Sequence, residues 1–211
     1  MIALRNVSKT FGARLILRGC TAEFREGAVS LVTGENGAGK STLLRIIAGL
    51  SQPSSGSVSF APEEPSIGLL GHQTFLYPAL TAFENLAFWQ KAHGLPAGRT
   101  AILGMLERVN LARHAHARAG VFSRGMAQRL SLARILLQRP DVLLLDEPGT
   151  GLDQASQEML EEEILQARKR GATIVCVSHN LERARALADC VWRIRDRRLE
   201  LESQVQEEVR P

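Results

Sequence analysis

Apolar and polar residues alternate in short pieces over residues 1–33: IALRNVS, then RLILRGCTAEF, then AVSLVTG. Turns at Phe11-Gly12-Ala13 and Arg25-Glu26-Gly27 separate them. This pattern predicts a small antiparallel sheet feeding a central strand, Ala28 to Thr33. An apolar helix, Leu43 to Leu50, follows. Gln52-Pro53-Ser54-Ser55-Gly56 is a turn cluster, and Gly56 to Phe60 and Ser66 to Leu70 read as strands broken by Pro62 and Pro65.

The period then changes. Thr81 and Glu84 fit a capping box opening a helix that runs to about His93. Further helices are expected over Arg99 to Val109 and Met126 to Gln138. From about residue 74 to 139 the pattern is helical without a strand, which predicts a helical subdomain inserted between two sheet strands of a single 1–211 domain. After Asp141, the run Val142-Leu143-Leu144-Leu145 is continuously apolar and ends in Asp146-Glu147. Such a run predicts a buried parallel strand that delivers carboxylates at its C-terminal edge, where α/β sheets bind ligands. Gln154 to Gly171 is an amphipathic helix, Ala172 to Ser178 a second buried strand ending in His179, and Leu181 to Ala188 a helix. Cys190 to Leu201 reads as a hairpin turning near Asp196 and Arg197. Residues 202–211 are polar and are expected to fray. The fold class is α/β.

Composition narrows the function. The chain has 211 residues, enough for one domain with a substantial core. No uncharged apolar run approaches the ~20 residues of a membrane span. The start, MIALRNVSKTF, lacks a signal-peptide core, which predicts a chain made and kept in the cytoplasm. Cys20, Cys176 and Cys190 show no C-x-x-C pairing and are read as buried free thiols in a reducing compartment. The formal charge is +4, carried by 22 arginines and four lysines. A basic balance suits nucleic acid or an anionic membrane. The arginines are spread rather than blocked, however, so a solvated surface explains them and no nucleic-acid partner is expected.

The stretch Gly34-Glu35-Asn36-Gly37-Ala38-Gly39-Lys40-Ser41-Thr42 carries the chemistry. It is G-x-x-x-x-G-K-[ST] between an apolar strand and an apolar helix. Its four fixed positions match by chance in roughly one chain of this length in a hundred. Glycines let the loop take positive φ and bring its backbone close to phosphate. The loop N–H groups form an anion nest, and the helix N-terminus adds partial positive charge. Lys40 supplies a point charge, and Ser41 a hydroxyl for Mg²⁺. A nucleoside triphosphate is therefore the expected ligand. Phe11, before a glycine turn, is either an adenine-stacking aromatic or a core or rim residue. The Asp146-Glu147 pair of like charges makes sense beside a metal. His179 gains interest from its place after the next apolar strand; His114 and His116 have no such context.

Between the loop and the Asp146-Glu147 strand stands Phe122-Ser123-Arg124-Gly125-Met126-Ala127-Gln128-Arg129. With it, the chain resembles the ATP-binding subunit of an ABC transporter: six motifs occur in the expected order over nearly the whole chain. The resemblance implies a P-loop NTPase with a RecA-like core, an N-terminal antiparallel β-subdomain and an inserted helical signature subdomain. It implies that Phe11 is the adenine-stacking aromatic, that Gly34 to Thr42 is the phosphate loop, and that Gln73 reaches Mg²⁺ and the attacking water and marks the coupling region to membrane subunits. Ser123 and Gly125 would bind the γ-phosphate held by a partner subunit. Asp146 would orient Mg²⁺, Glu147 act as general base, Asp153 lie at the dimer interface and His179 meet the γ-phosphate. Arg124 and Met126 depart from the L-S-G-G-Q signature; the form G-M-x-Q-R resembles an exporter-like branch. Gly149 is also unusual, at a position commonly hydroxylated.

The implied activity is ATP hydrolysis with ATP and Mg²⁺. The implied partners are a second copy or a homologous ATPase subunit, together with integral membrane subunits at the cytoplasmic face of the inner membrane. The runs Gly71-His72-Gln73, Leu76-Tyr77 and Leu80 to Leu86, with the Phe-Ser-Arg-Gly-Met signature, resemble the ATP-binding subunit of the haem exporter of cytochrome c maturation. His72 itself reads as structural. A branch moving lipids, drugs or lipoproteins, or a soluble ABC-type ATPase acting on ribosomes or DNA, remains an alternative. A small-molecule kinase does not carry the signature, and a GTPase would need an N-K-x-D-like motif that is absent.

Overall fold

The structure, a computed structural model, describes residues 1–71, 73–96 and 98–204. His72 and the last seven positions of the polar tail lie outside the described residues. The chain divides into two compact units. The first comprises Met1–Leu69, Asp141–Glu147 and the chain from Leu165 on; the second comprises Leu70–Pro140 and Pro148–Ile164.

In the first unit, β1 (Ile2–Phe11) and β2 (Arg14–Phe24) form an antiparallel pair closed at the Gly12 turn. β3 (Val29–Gly34) leads through the glycine-rich loop into α1 (Lys40–Ile47). β4 (Ser55–Phe60) returns to pair with the other edge of β1, giving the order β2-β1-β4. Gly56 is required where β4 passes the bulge in β1. Its φ is +83°, and a Cβ there would lie 2.3 Å from the Asn6 carbonyl oxygen.

The second sheet has six strands. They are β5 (Ile67–Leu70), β6 (Val142–Asp146), β7 (Thr173–Val177), β3, β8 (Cys190–Arg195) and β9 (Arg198–Gln204), in that spatial order. β6, β7, β3 and β8 run parallel, and β9 closes the edge antiparallel to β8. β6 and β7 are buried at all five positions, as an apolar run covered on both faces must be. Leu43, Leu44, Ile46 and Ile47 of α1 pack with Val32, Leu144, Val175 and Val177 of this sheet and with Ile2, Leu4, Leu17 and Phe24 of the antiparallel one. Each of these side chains contributes about 2 kcal/mol by leaving water, so α1 and the loop before it are held by core on two sides.

The second unit holds α2 (Ala82–Ala92), α3 (Arg99–Arg108), α4 (Arg124–Leu136) and the first part of α5 (Gln154–Lys169). The remaining helix, α6 (Leu181–Leu187), belongs to the first unit. The expected capping box is present in both halves: Thr81 Oγ1 accepts the Glu84 N–H, and Glu84 Oε2 accepts the Thr81 N–H at 2.8 Å. Those bonds hold the Glu84 carboxyl below its usual range. Leu86, Ile102, Leu106 and Leu130 are fully buried. Arg108 Nη2 lies 2.6 Å from the buried Glu163 and ties α3 to α5. Asn85, fully buried, staples the turn before α2 by accepting the Tyr77 N–H at 2.8 Å and donating to the Thr81 carbonyl at 2.9 Å.

Element types follow the sequence reading, while boundaries move. α1 begins at Lys40 rather than Leu43 and ends at Ile47, because its first turn is polar loop chemistry rather than apolar stripe. α4 begins at Arg124 rather than Met126, because Ser123 caps it. The second unit also takes residues 148–164, which the hydrophobic pattern left with the sheet.

Candidate functional site

Parallel strands place their C-terminal ends side by side. Asp146 of β6 pairs with Val177 of β7, Val32 of β3 pairs with the same Val177, and Gly34 pairs with Ile194 of β8. The glycine-rich loop, the two carboxylates and His179 therefore share one sheet edge within the first unit.

The loop is shaped by its glycines. Gly34, Gly37 and Gly39 have φ of 145°, 79° and 107°. A Cβ on Gly39 would press on Ile16 and Leu17 at 3.0 Å. Gly39 is the N-cap of α1 and gives it no side-chain cap. The first-turn N–H groups are thus left for another acceptor, and an anion suits them. Lys40 is buried, and its Nζ donates to the carbonyls of Gly34 at 2.8 Å and Glu35 at 3.0 Å. The ammonium is therefore held inside the loop. Ser41 and Thr42 follow in the first turn of α1, both half-buried.

α1 packs on β6 and β7. At the end of β6, Asp146 and Glu147 are 6% and 8% exposed. Asp146 Oδ1 and Glu147 Oε1 are buried and accept no hydrogen bond. Two adjacent buried carboxylates, with these oxygens free of hydrogen bonds, fit a hard divalent cation, which takes oxygen ligands. Their negative field is felt at Cys176 on β7, whose thiol burial pushes up to about 12, with Glu147 and Asp146 adding to the rise. Glu147 sits at φ 56°, an uncommon conformation for a non-glycine residue. Its N–H bonds to the Val177 carbonyl at 2.9 Å, and its Oε2 accepts the His179 N–H at 2.9 Å. The exposed His179 ring brings Nε2 to 3.3 Å from Glu147 Oε1.

Phe11 ends β1, opposite Arg14, and is 55% exposed, with Lys9 Nζ 4.9 Å from its ring centroid. An exposed aromatic at this place is not a core residue. The other four predicted site residues belong to the second unit. Gln73 is exposed. Ser123 caps α4, its Oγ accepting the Met126 N–H at 3.3 Å. Gly125 approaches Gly151 closely: a Cβ would lie 3.4 Å from the Gly151 carbonyl oxygen. The Arg124 side chain reaches over Gly151. Asp153 Oδ1 accepts the Ser156 N–H at 2.8 Å, and the Ser156 hydroxyl together with that N–H holds the Asp153 carboxyl below the usual range.

The sequence reading missed a basic rim. A cavity of about 690 Å³ is lined by Arg14 to Ile16, Glu35 to Ala38 and Arg193 to Arg197. Arg193 and Arg195 stand two apart on β8, a strand-face signal present in the sequence, and Arg197 follows in the hairpin turn.

Residues 17–150 match the family described as ABC transporter. The chain is 33% identical over 200 residues to the linearmycin resistance ATP-binding protein LnrL of Bacillus subtilis (strain 168), covering 90% of this chain and 64% of that protein. It is 36% identical over 199 residues to the Nod factor export ATP-binding protein I of Burkholderia orbicola (strain AU 1054), covering 89% of this chain and 66% of that protein. The chain thus spans just under two thirds of each of these relatives. Among solved structures it is similar to the dimeric post-hydrolysis state of the ATP-binding cassette MJ0796 bound to ADP and Pi. That match has 28% identity and a TM-score of 0.86, over 98% of this chain and 99% of that one. With the phosphate loop, the carboxylate pair and the fold all in agreement, this chain belongs to the ABC transporter family, as one of its ATP-binding cassettes.

Proposed function

We propose that two copies of this chain, or one copy and a homologous ATPase subunit, close around two MgATP and drive integral membrane subunits at the cytoplasmic face of the inner membrane. The observation that carries the reading is the pair of adjacent buried carboxylates, Asp146 and Glu147, at the end of β6, with Asp146 Oδ1 accepting no hydrogen bond, on the strand against which α1 packs.

In this reading Phe11 stacks on the adenine. Gly34, Glu35, Asn36, Gly37, Ala38, Gly39, Lys40, Ser41 and Thr42 wrap the phosphates, and Lys40 turns its ammonium from the loop carbonyls to them. Ser41, Asp146 and Gln73 hold Mg²⁺, which neutralises phosphate charge when bound. Glu147 accepts a proton from an in-line water. His179, fixed by Glu147, meets the γ-phosphate. Phosphoryl transfer needs this positioning and charge neutralisation more than covalent chemistry. Ser123, Gly125 and Asp153 face the nucleotide of the partner cassette, so loss of the γ-phosphate opens the pair. The dimeric MJ0796 cassette bound to ADP and Pi supports such a cycle. The helical unit around Gln73 passes the motion to the membrane subunits. No helix among the described residues is long and apolar enough to cross a membrane.

The cargo reading is export. The G-M-x-Q-R signature supports it, and so do the words "export" and "resistance" in the names of the two relatives. Haem for c-type cytochrome assembly is the narrower reading, resting on the residues around Gly71 to Leu86. The experiment is a mild-detergent pull-down of the chain from its native membranes, with bound proteins identified and haem read by absorbance. Small polytopic subunits are expected, and haem with them would support haem export. Polytopic subunits without haem would leave a lipid, drug or lipoprotein exporter. Ribosomes or DNA in the soluble fraction, with no membrane protein, would overturn the transporter reading.

A further inference from the structure

The β8–β9 hairpin turns on Asp196 and Arg197, between the paired Arg195 and Arg198. Both turn residues take positive φ, 48° and 65°. A two-residue turn of this shape favours glycine at its second position, where a Cβ is strained. This chain places an arginine there. The backbone gives no reason for it: the Arg197 carbonyl accepts the Arg18 N–H at 2.7 Å and the Cys20 thiol at 3.6 Å, and glycine would offer the same carbonyl. What arginine adds is a guanidinium. Strain kept at one residue points to a use for its side chain.

Arg197 lines the cavity of about 690 Å³ beside the phosphate loop, within the first unit. Arg14, Arg193 and Arg195 line it too, against two carboxylates, Glu35 and Asp196. Asp196 Oδ2 is 4.0 Å from Arg195 Nε, an exposed pair worth little. Arg193 is shared with Glu202, whose carboxyl is held low by Arg185 first and by Arg193 after it. Arg14 and Arg197 make no side-chain hydrogen bond or ion pair among the described residues. Like charges gathered around one cavity repel unless an anion joins them. Of the residues assigned above to the nucleotide, the cavity touches only Glu35 to Ala38; Phe11, Lys40, Asp146, Glu147 and His179 do not line it.

We propose that this cavity is a second anion site, next to the nucleotide, that takes a phosphate monoester dianion. The guanidiniums of Arg14, Arg195 and Arg197 offer forks that fit phosphate oxygens. Ile16 and Ile194 give the ester's apolar part a wall. A soluble ester and a lipid headgroup ending in a phosphate carry the same chemistry. Because Glu35 to Ala38 border both sites, the two ligands oppose each other across the loop, and each weakens the other by the same factor. Only this coupling rests on the cassette reading; anion binding stands on the cavity alone.

The test titrates phenyl phosphate into the full chain by calorimetry, with benzyl alcohol as the uncharged control. The ester is expected to bind saturably and the alcohol not at all. Arg197→Gly, which relieves the turn and is expected to fold, weakens the ester at least ~10-fold, as loss of a charge-assisted bond should. Arg14→Gln does the same. In a second arm a fluorescent ATP analogue is titrated at rising phenyl phosphate. Its apparent Kd is expected to climb to a plateau, as two coupled sites require, and Arg197→Gly abolishes the climb. Sedimentation with vesicles of phosphatidic acid in phosphatidylcholine, lost in Arg197→Gly, would identify the ester as a headgroup; ester binding without vesicle binding would identify it as soluble. No saturable ester binding, equal binding by Arg197→Gly, or an apparent Kd that climbs without limit, which means occupancy of the nucleotide site itself, would overturn the proposal. Failure of the chain to bind the ATP analogue would remove the cassette reading and leave the calorimetric result intact, so the two failures are separable.

Discussion

Glu147 grips His179 at two points: its Oε2 accepts the His179 backbone N–H at 2.9 Å, and its Oε1 lies 3.3 Å from the imidazole Nε2. The chain bends to allow this, with Glu147 at φ 56° and its own N–H on the Val177 carbonyl. A left-handed residue held by the end of β7 and the residues that follow it is strain kept where chemistry needs a fixed carboxylate. β6 and β7 thus present one unit to a nucleotide rather than two independent groups.

Glu147→Gln separates the base from the scaffold. The amide oxygen still accepts the His179 N–H, so the fold and MgATP binding are expected to persist. Phosphate release should fall at least ~100-fold, the low end for removing a general base. With the nucleotide uncleaved, a MgATP-dependent dimer should accumulate in sedimentation runs. A variant that stays monomeric at saturating MgATP would count against closure around two nucleotides.

Lys40→Ala removes the ammonium that now sits on the Gly34 and Glu35 carbonyls. Charge-assisted bonds of this kind are worth about 1.5–3 kcal/mol, so nucleotide affinity should drop roughly 10- to 100-fold. Titration with a fluorescent ATP analogue reads it. The thermal stability gained on adding ATP should disappear with it.

Gly56→Ala tests the crossing of β4 over β1. A Cβ 2.3 Å from the Asn6 carbonyl, at a φ of +83°, cannot be accommodated without moving the strand pair. We expect a loss of about 2–4 kcal/mol, seen as a lower urea midpoint. Gly12→Ala has open space at its Cβ position and serves as the comparison: it bears only the positive-φ strain and should cost about 1 kcal/mol.

Cys176 should behave as an inert thiol. Burial, with Glu147 and Asp146 nearby, raises it from 9.0 to about 12. Native protein is therefore expected to resist iodoacetamide at pH 9, while urea-unfolded protein reacts. Between 9.0 and about 12 the folded chain keeps a proton that the unfolded chain releases. This contribution to stability is therefore full below 9.0 and is lost as pH rises through that window. Wild type should accordingly lose stability relative to Cys176→Ala on going from pH 8 to pH 10.

The glycine-rich loop and the Asp146-Glu147 strand end were legible because their chemistry is local: a phosphate nest needs glycines in a row, and a buried strand needs an unbroken apolar run. Thr81 with Glu84 was legible for the same reason. Pairing was not. Nothing in Ser55 to Phe60 says that it closes the far edge of β1, or in Cys190 to Arg195 that it lies parallel to β3. Those contacts are decided by segments more than a hundred residues apart in the second case. Asn85 was hidden too: a buried amide that staples a turn looks, in sequence, like any polar residue inside an amphipathic helix. Arg134 likewise reads as one more exposed charge until the Phe75 and Trp89 rings above it are placed.

The place of β3 between β7 and β8 has a consequence for the order in which the molecule is built. The strand that launches the phosphate loop is complete at Gly34, yet its two sheet neighbours begin only at Thr173 and Cys190. A chain emerging from the ribosome carries Val29 to Val32 with no neighbouring strand to receive them until Thr173 and the residues after it have been added. Contacts of such sequence separation close slowly and leave apolar segments open to misassociation. The nucleotide loop is therefore translated well before the strands that flank β3, and its surroundings are complete only once Thr173–Val177 and Cys190–Arg195 have followed.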